Sequence, residues 1–143
     1  MLISPLRWNH YVQCRTLFED VFDASEMSWF VAAWRKRSDN SQVALHQGIV
    51  VGFALIDTAS TLHYVCVHPD FQNSGLGTRL LTAVLELEDA RSTWLSTAGD
   101  DRLVTWYTRH GFKVAERVLR QGEFIGAHMV LRRRCRSVGI NAV

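Results

Sequence analysis

An α+β fold in one domain is predicted by three features of this sequence. Its 143 residues suit one domain and leave little room for a second. Hydrophobic residues make up 48% of it, enough for a sizeable core. Apolar patterns of helical period are interleaved with β-rich runs in the order β-α-α-β-β-β-α-β-α-β-β, which fits one layered α+β structure.

Residues 2–6 form a first strand, with Pro5 at its edge or end. Asn9 is placed to cap a helix carrying Tyr11, Cys14, Phe18, Val21 and Phe22. Ser25 is placed to cap a second helix, where Met27, Phe30, Val31 and Trp34 make one apolar stripe. Its end, Arg35-Lys36-Arg37, suits the negative pole of a helix dipole. Residues 43–45 and 49–56 are β-rich and flank Gln47-Gly48, which predicts a hairpin. After a polar turn at 57–61, residues 62–67 form a strand stopped by Pro69. Residues 75–87 read as a helix with Leu76, Leu80, Val84 and Leu87 on one face. A short strand at 93–96 precedes a helix that Asp100 or Asp101 can cap and His110-Gly111 can end. Residues 112–119 and 128–131 are the last, paired strands. The strand–helix–strand unit 62–96 predicts a right-handed parallel crossover.

Charge excludes several classes. The net charge is +2, but Arg132, Arg133, Arg134 and Arg136 lie in the last dozen residues. Without them the balance is twelve basic against fourteen acidic residues, so the body lacks the Lys/Arg stripe of a nucleic-acid binder. The 132–143 tail reads as a basic chain end, solvated or able to touch an anionic partner. Cys14, Cys66 and Cys135 are scattered, forming neither a disulfide framework nor a zinc pattern. His10, His46 and His128 lack metal-ligand spacing, and no metal is expected. No segment is apolar enough to span a bilayer, and residues 1–9 do not resemble a signal peptide. The expectation is a cytoplasmic protein in a reducing setting, with no nucleic-acid or membrane partner.

The segment 62–78 carries the function. A buried strand enters a loop, and Gln72-x-x-Gly75-x-Gly77 enters a helix. The first N–H groups of a helix lack intrahelical partners, and the dipole adds partial positive charge there. Glycines permit positive φ and close approach of an anion, so the arrangement suits a pyrophosphate. It is not a P-loop, because no lysine follows Gly77, nor a dinucleotide fingerprint, because position 80 is not glycine.

Val67, Pro69, Gln72, Gly75 and Gly77 resemble the central V-x-P-x-x-[QR]-x-x-G-x-[GA] motif of the GNAT superfamily of acyl-CoA N-acyltransferases. Tyr107 through Phe112 is similar to that family's Y-x-x-x-G-F signature. The likeness covers about residues 2–131, expected as the GNAT domain. It implies a central mixed, mostly antiparallel sheet with helices on both faces. It also implies acetyl-CoA as cofactor, its pyrophosphate on the backbone of Gln72, Asn73, Ser74, Gly75, Leu76, Gly77 and Thr78. Backbone groups of Cys66 and Val67 would hold pantetheine and the thioester oxygen. Asp100 stands where the family often has a cofactor-touching Asn, so the resemblance places it among the cofactor-binding residues, although an aspartate there is charged and can also cap a helix.

Acyl transfer to an amine needs a neutral amine, donors for the oxyanion and a proton for the leaving thiolate. The resemblance assigns Tyr107 as the acid; the bland alternative is packing, since residues 103, 104 and 107 share a helical stripe. His63 is the candidate base, because the 61–71 strand resembles that of serotonin N-acetyltransferases, where a histidine occupies this position. The second histidine of that pattern is Thr61 here, and a structural role for His63 stays open. No glutamate lies on this strand, unlike in protein-lysine acetyltransferases. Asp23, Glu26 and Trp29 are the candidate substrate residues. The acidic run 19–26 could gather a cationic amine or be a solvated helix end, and Trp29 could line a groove or fill the core. The expected reaction is acetyl transfer from acetyl-CoA to a small cationic or aromatic amine in a ternary complex. A protein N-terminal or lysine acetyltransferase and a non-catalytic CoA-binding regulator are the alternatives, and a homodimer is left open.

Overall fold

A computed structural model describes residues 1–134. Among them seven strands and four α-helices give the predicted α+β composition. They fall into two compact units, Met1–Glu88 and the chain from Asp89 onward.

The first unit contains β1 (Leu2–Pro5), α1 (Tyr11–Val21), α2 (Met27–Arg35), β2 (Gln42–His46), β3 (Ile49–Ile56), β4 (Thr61–Val67) and α3 (Leu76–Leu87). Its strands lie in the order β1-β2-β3-β4, each pair antiparallel. From Val50 onward every residue of β3 is buried, because both of its faces are covered. Phe53 and Leu55 join Phe18 and Phe30 in the core under α1 and α2. Gly52, just before Phe53, faces the other way, towards α3. A Cβ there would sit 3.0 Å from Leu80 Cδ1 and 3.1 Å from the Cys66 carbonyl, so the missing side chain lets α3 seat closely.

Both caps predicted for the first unit are corrected. A 3₁₀ turn, Trp8–His10, precedes α1, and no side chain caps that helix; Asn9 lies inside the turn. Ser25 is likewise inside a 3₁₀ turn, Ala24–Glu26, and the capping residue is Asp23, whose Oδ1 accepts from Ser25 N at 3.0 Å. A polar residue caps only where the chain enters the turn in extended conformation, and Asp23 does so with φ −67° and ψ 142°.

The second unit contains β5 (Ser92–Ala98), α4 (Asp101–Arg109), β6 (Lys113–Arg120) and β7 (Glu123–Arg132), with antiparallel strand order β5-β7-β6. Register places Thr93, Leu95, Ala127 and Met129 together, all buried, while Trp94, Ser96 and His128 lie exposed on the opposite face. α4 packs against β5 and β6. Here β7 begins five residues earlier than the sequence suggests and runs one residue further, through Arg132. Arg133 is tied to its own unit, its Nη1 donating to Ala90 O at 3.0 Å and Thr93 Oγ1 at 2.8 Å. Arg132 is the last residue of β7, and residues 135–143 of the expected tail lie outside the described chain.

Candidate active site

The strand–loop–helix unit is built as the glycines require. After β4, His68 N donates to Val51 O at 2.8 Å and a 3₁₀ turn, Pro69–Phe71, follows. Asn73 and Gly75 then take left-handed conformations, with φ 61° and 83°. Gly75 is the residue before α3, and no side chain caps that helix. The first i→i−4 bond runs from Arg79 N to Gly75 O at 3.1 Å, so the amides of Leu76 and Gly77 come ahead of it. Leu76 is buried and anchors the helix start, whereas Gln72, Asn73, Ser74, Gly75 and Thr78 are exposed. Two side chains brace the loop: Gln72 Nε2 donates to Val67 O at 3.1 Å, and Ser74 Oγ donates to Phe71 O. The Val67 carbonyl therefore already has a donor. An exposed, uncapped helix start beside left-handed residues fits a pyrophosphate through main-chain amides.

His63 sits at an irregularity between β3 and β4. Leu55 pairs with Tyr64 and Ile56 with Leu62, so His63 is the extra residue and is re-aimed by the bulge. Its Nε2 lies 2.8 Å from Asp57 Oδ2; the two side chains are 29% and 11% exposed. Asp57 Oδ1 accepts from Ala59 N and Thr61 N, each at 2.9 Å, so the carboxylate is fixed by backbone. Asp57 has no signal in the sequence beyond a polar turn; its role depends on the bulge. With Nε2 on the carboxylate, Nδ1 is the nitrogen left for another partner.

On the α1–α2 side, Tyr64 meets Phe18 edge-on at 5.0 Å and Phe22 at 5.5 Å. Burial, then the Glu26 carboxylate, raises its phenol. Burial pushes the Cys66 thiol far above its ordinary value, with Cys14 and Asp20 adding to it. A thiol so held is not a nucleophile. Of the expected substrate residues, Asp23 is occupied as a cap, Glu26 is exposed, and Trp29 is 71% exposed rather than core.

In the second unit, Asp100 Oδ1 accepts from Arg102 N at 2.9 Å and caps α4. The Arg102 guanidinium lies 3.5 Å away, so that carboxylate is engaged within its own unit. Tyr107 is half-buried, its ring edge-on to Trp106 at 4.9 Å and Phe112 at 5.7 Å. Burial pushes its phenol up to about 12. It stays protonated at neutral pH and can donate. One polar pair has no counterpart in the sequence reading: Ser96 Oγ lies 2.7 Å from His128 Nδ1 across β5 and β7, 32 residues apart, a contact set by strand register alone.

A family model described as an acetyltransferase (GNAT) domain matches residues 37–114, more than half of the chain, so the protein belongs to the GNAT acetyltransferase family. Solved structures agree in fold. The ribosomal-protein-S18-alanine N-acetyltransferase of Escherichia coli is 19% identical over 92% of each chain, with TM-score 0.74. A GNAT-family acetyltransferase of Bacillus cereus is 15% identical over 94% of this chain and 98% of that one, TM-score 0.73. Arabidopsis thaliana Naa50, in complex with the bisubstrate analogue CoA-Ac-MVNAL, is 14% identical over 92% and 98%, TM-score 0.71. No curated protein matches the sequence. An acyl-CoA-dependent N-acetyltransferase is the enzyme class that the family and these neighbours support. Among the described residues no helix is long and apolar enough to cross a membrane.

Proposed function

We propose that this chain moves an acetyl group from acetyl-CoA to the primary amine of a small cationic or aromatic molecule, by direct attack in a ternary complex. The observation that carries the cofactor half is the uncapped start of α3 behind left-handed Asn73 and Gly75. The observation that favours a cationic acceptor is the exposed acidic run Glu19, Asp20, Asp23 and Glu26 at the end of α1 and the turn before α2. Bound acetyl-CoA supplies the thioester. Main-chain amides from Gln72 to Thr78 hold its pyrophosphate, and Asp100 acts as a cap rather than a cofactor ligand. His63 Nδ1, oriented by Asp57 on the opposite nitrogen, takes the ammonium proton through water, which leaves the amine free to attack. Tyr107 donates to the leaving sulfur; a phenol near 12 is a weak acid and contributes mainly as a hydrogen-bond donor to the developing thiolate. A peptide N-terminus is the second reading, favoured by the ribosomal-protein-S18-alanine N-acetyltransferase and the Naa50 complex with CoA-Ac-MVNAL among the neighbours.

The test is acetyl-CoA turnover over polyamines, arylalkylamines, aminoglycosides, lysine peptides and peptides with free N-termini. Turnover confined to peptides overturns the small-amine reading. No turnover, with CoA still raising the melting temperature, points to a non-catalytic CoA-binding regulator. Tyr107→Phe is expected to lower kcat roughly 10²-fold with CoA affinity kept; an unchanged kcat on a chemistry-limited amine removes Tyr107 from the reaction. Gly75→Val is expected to abolish the CoA-induced rise in Tm. No atom lies within 4 Å of the added Cβ, but φ +83° strains any L side chain, so the damage is to the amide array itself. A full rise in that variant places the pyrophosphate elsewhere.

A further inference from the structure

β6 is the outermost strand of β5-β7-β6, and among the described residues no strand lies along its other edge. Every residue of β6 is exposed except half-buried Val118, and large apolar groups, Val114 and Leu119, are among them. Natural edges are guarded by proline, charged side chains or bulges, and the charges of β6 (Lys113, Glu116, Arg117 and Arg120) guard it against strands that are not complementary to it. β6 holds no proline. Its own bulge, at Ala115, precedes residues 116–120; the second irregularity skips Ile125 of β7 instead. Residues 116–120 are therefore a regular stretch with an open edge. Glu116, Val118 and Arg120 share one face, and Arg117 and Leu119 share the other. Arg117 is engaged, 3.7 Å from Asp101 and 4.8 Å from the Phe124 ring centroid. Glu116 and Arg120 enter none of the ion pairs among the described residues.

We propose that the protein self-associates by antiparallel pairing of β6 with β6 of a second copy, about a twofold axis through Val118. Symmetry about that residue sets Glu116 opposite the second copy's Arg120, and Arg120 opposite its Glu116. Val118 meets its own image, and Leu119 lies over the aliphatic stem of Arg117. Opposite charges and apolar groups facing each other across strands are the pairs that stabilise a sheet. The register is specific. Face matching requires the axis to pass through a residue, and centring on 117 or 119 sets Glu116 opposite Val118 or Gly122 and leaves both charges unmatched. Two copies then share one continuous sheet, β5-β7-β6-β6-β7-β5. Five residues a side fall short of a standard interface, so the association is a reversible monomer–dimer equilibrium. It does not depend on the catalytic reading.

Sedimentation velocity of the full chain, over a wide concentration range at low ionic strength, tests it. The wild type is expected to show a concentration-dependent dimer. Glu116→Arg places arginine opposite arginine twice, and Arg120→Glu places glutamate opposite glutamate twice. Each is expected to raise the dimer Kd roughly tenfold or more. The double variant Glu116→Arg/Arg120→Glu restores both pairs and should return Kd to within about threefold of wild type. Both substituted positions face solvent, and an unchanged Tm verifies folding. A wild type that stays monomeric, a dimer insensitive to the single swaps, or a double variant as weak as either single one overturns the proposal.

Discussion

The β2–β3 and β6–β7 hairpins turn through the same dipeptide, Gln-Gly, at nearly the same backbone angles. Gln47 and Gly48 have φ 53° and 79°; Gln121 and Gly122 have 52° and 83°. What the two turns deliver differs completely. β3 is buried from Val50 to Ile56, whereas β6 is exposed almost throughout. The turn sets pairing and twist locally; burial comes from what packs on the strands. α1, α2 and α3 cover both faces of β3, while β6 ends its sheet and carries four charged residues.

The largest contrast this implies is in core energetics. Phe53 is fully buried among Phe30 and its neighbours, and Phe53→Ala is expected to cost about 3–5 kcal/mol. Leu119 is 60% exposed, and in dilute solution Leu119→Ala should change stability by less than about 0.5 kcal/mol. Urea denaturation of both variants measures the difference. Comparable losses would mean that β6 is covered in solution as β3 is.

A second pair of substitutions is expected to run against that ordering. Both hairpins hold a strand glycine pressed by neighbours, Gly52 in β3 and Gly126 in β7. An added Cβ at Gly52 meets first a movable leucine methyl, Leu80 Cδ1 at 3.0 Å, and then the Cys66 carbonyl at 3.1 Å. At Gly126 it meets a backbone oxygen, Thr97 O, at 2.8 Å. Main chain yields less readily than a side-chain end, so Gly126→Ala should destabilise by about 1–3 kcal/mol and Gly52→Ala by less. A larger loss at Gly52 would show that close seating of α3, rather than strand contact, is the tighter constraint.

The hairpins also show what sequence can reveal. Gln47-Gly48 stands out because the long apolar run 49–56 follows it at once. Gln121-Gly122 does not, because Leu119-Arg120 and Glu123 flank it with charge, and the first half of β7 loses its apolar alternation at Gly126. The active-site elements divide along the same line. The loop is legible because positive φ at Gly75 and an anion-binding helix start need particular residues at fixed spacing. The Asp57–His63 pair is not, since a bulge created by β3–β4 pairing brings the imidazole to the carboxylate. Ser96 and His128 meet only through the register of β5 with β7. The caps fall between: Asp100 does cap α4, but at the first two helices short 3₁₀ turns displace the helix starts, so Asn9 and Ser25 are not the capping residues.

The smallest expected effect isolates the turn itself. Gly48 and Gly122 both have φ near +80°, and no atom lies within 4 Å of a Cβ added to either. Alanine at each position must then be opposed by backbone strain alone, about 1–2 kcal/mol for an L residue held left-handed. Because the strain is local, Gly48→Ala and Gly122→Ala should destabilise equally, within about 0.5 kcal/mol, although one hairpin lies in the core and the other at an edge. Their unfolding midpoints in urea, with m-values checked for equality, decide this. A distinctly milder effect at Gly122 would mean that the exposed hairpin relaxes to another turn without disturbing the rest of its unit. The β6–β7 tip would then be a locally soft element, opening below the global unfolding free energy. Hydrogen exchange of the amides on either side of Gln121-Gly122 would separate that outcome from a shared strain, because only a soft tip exchanges faster than the β2–β3 turn in the unsubstituted protein.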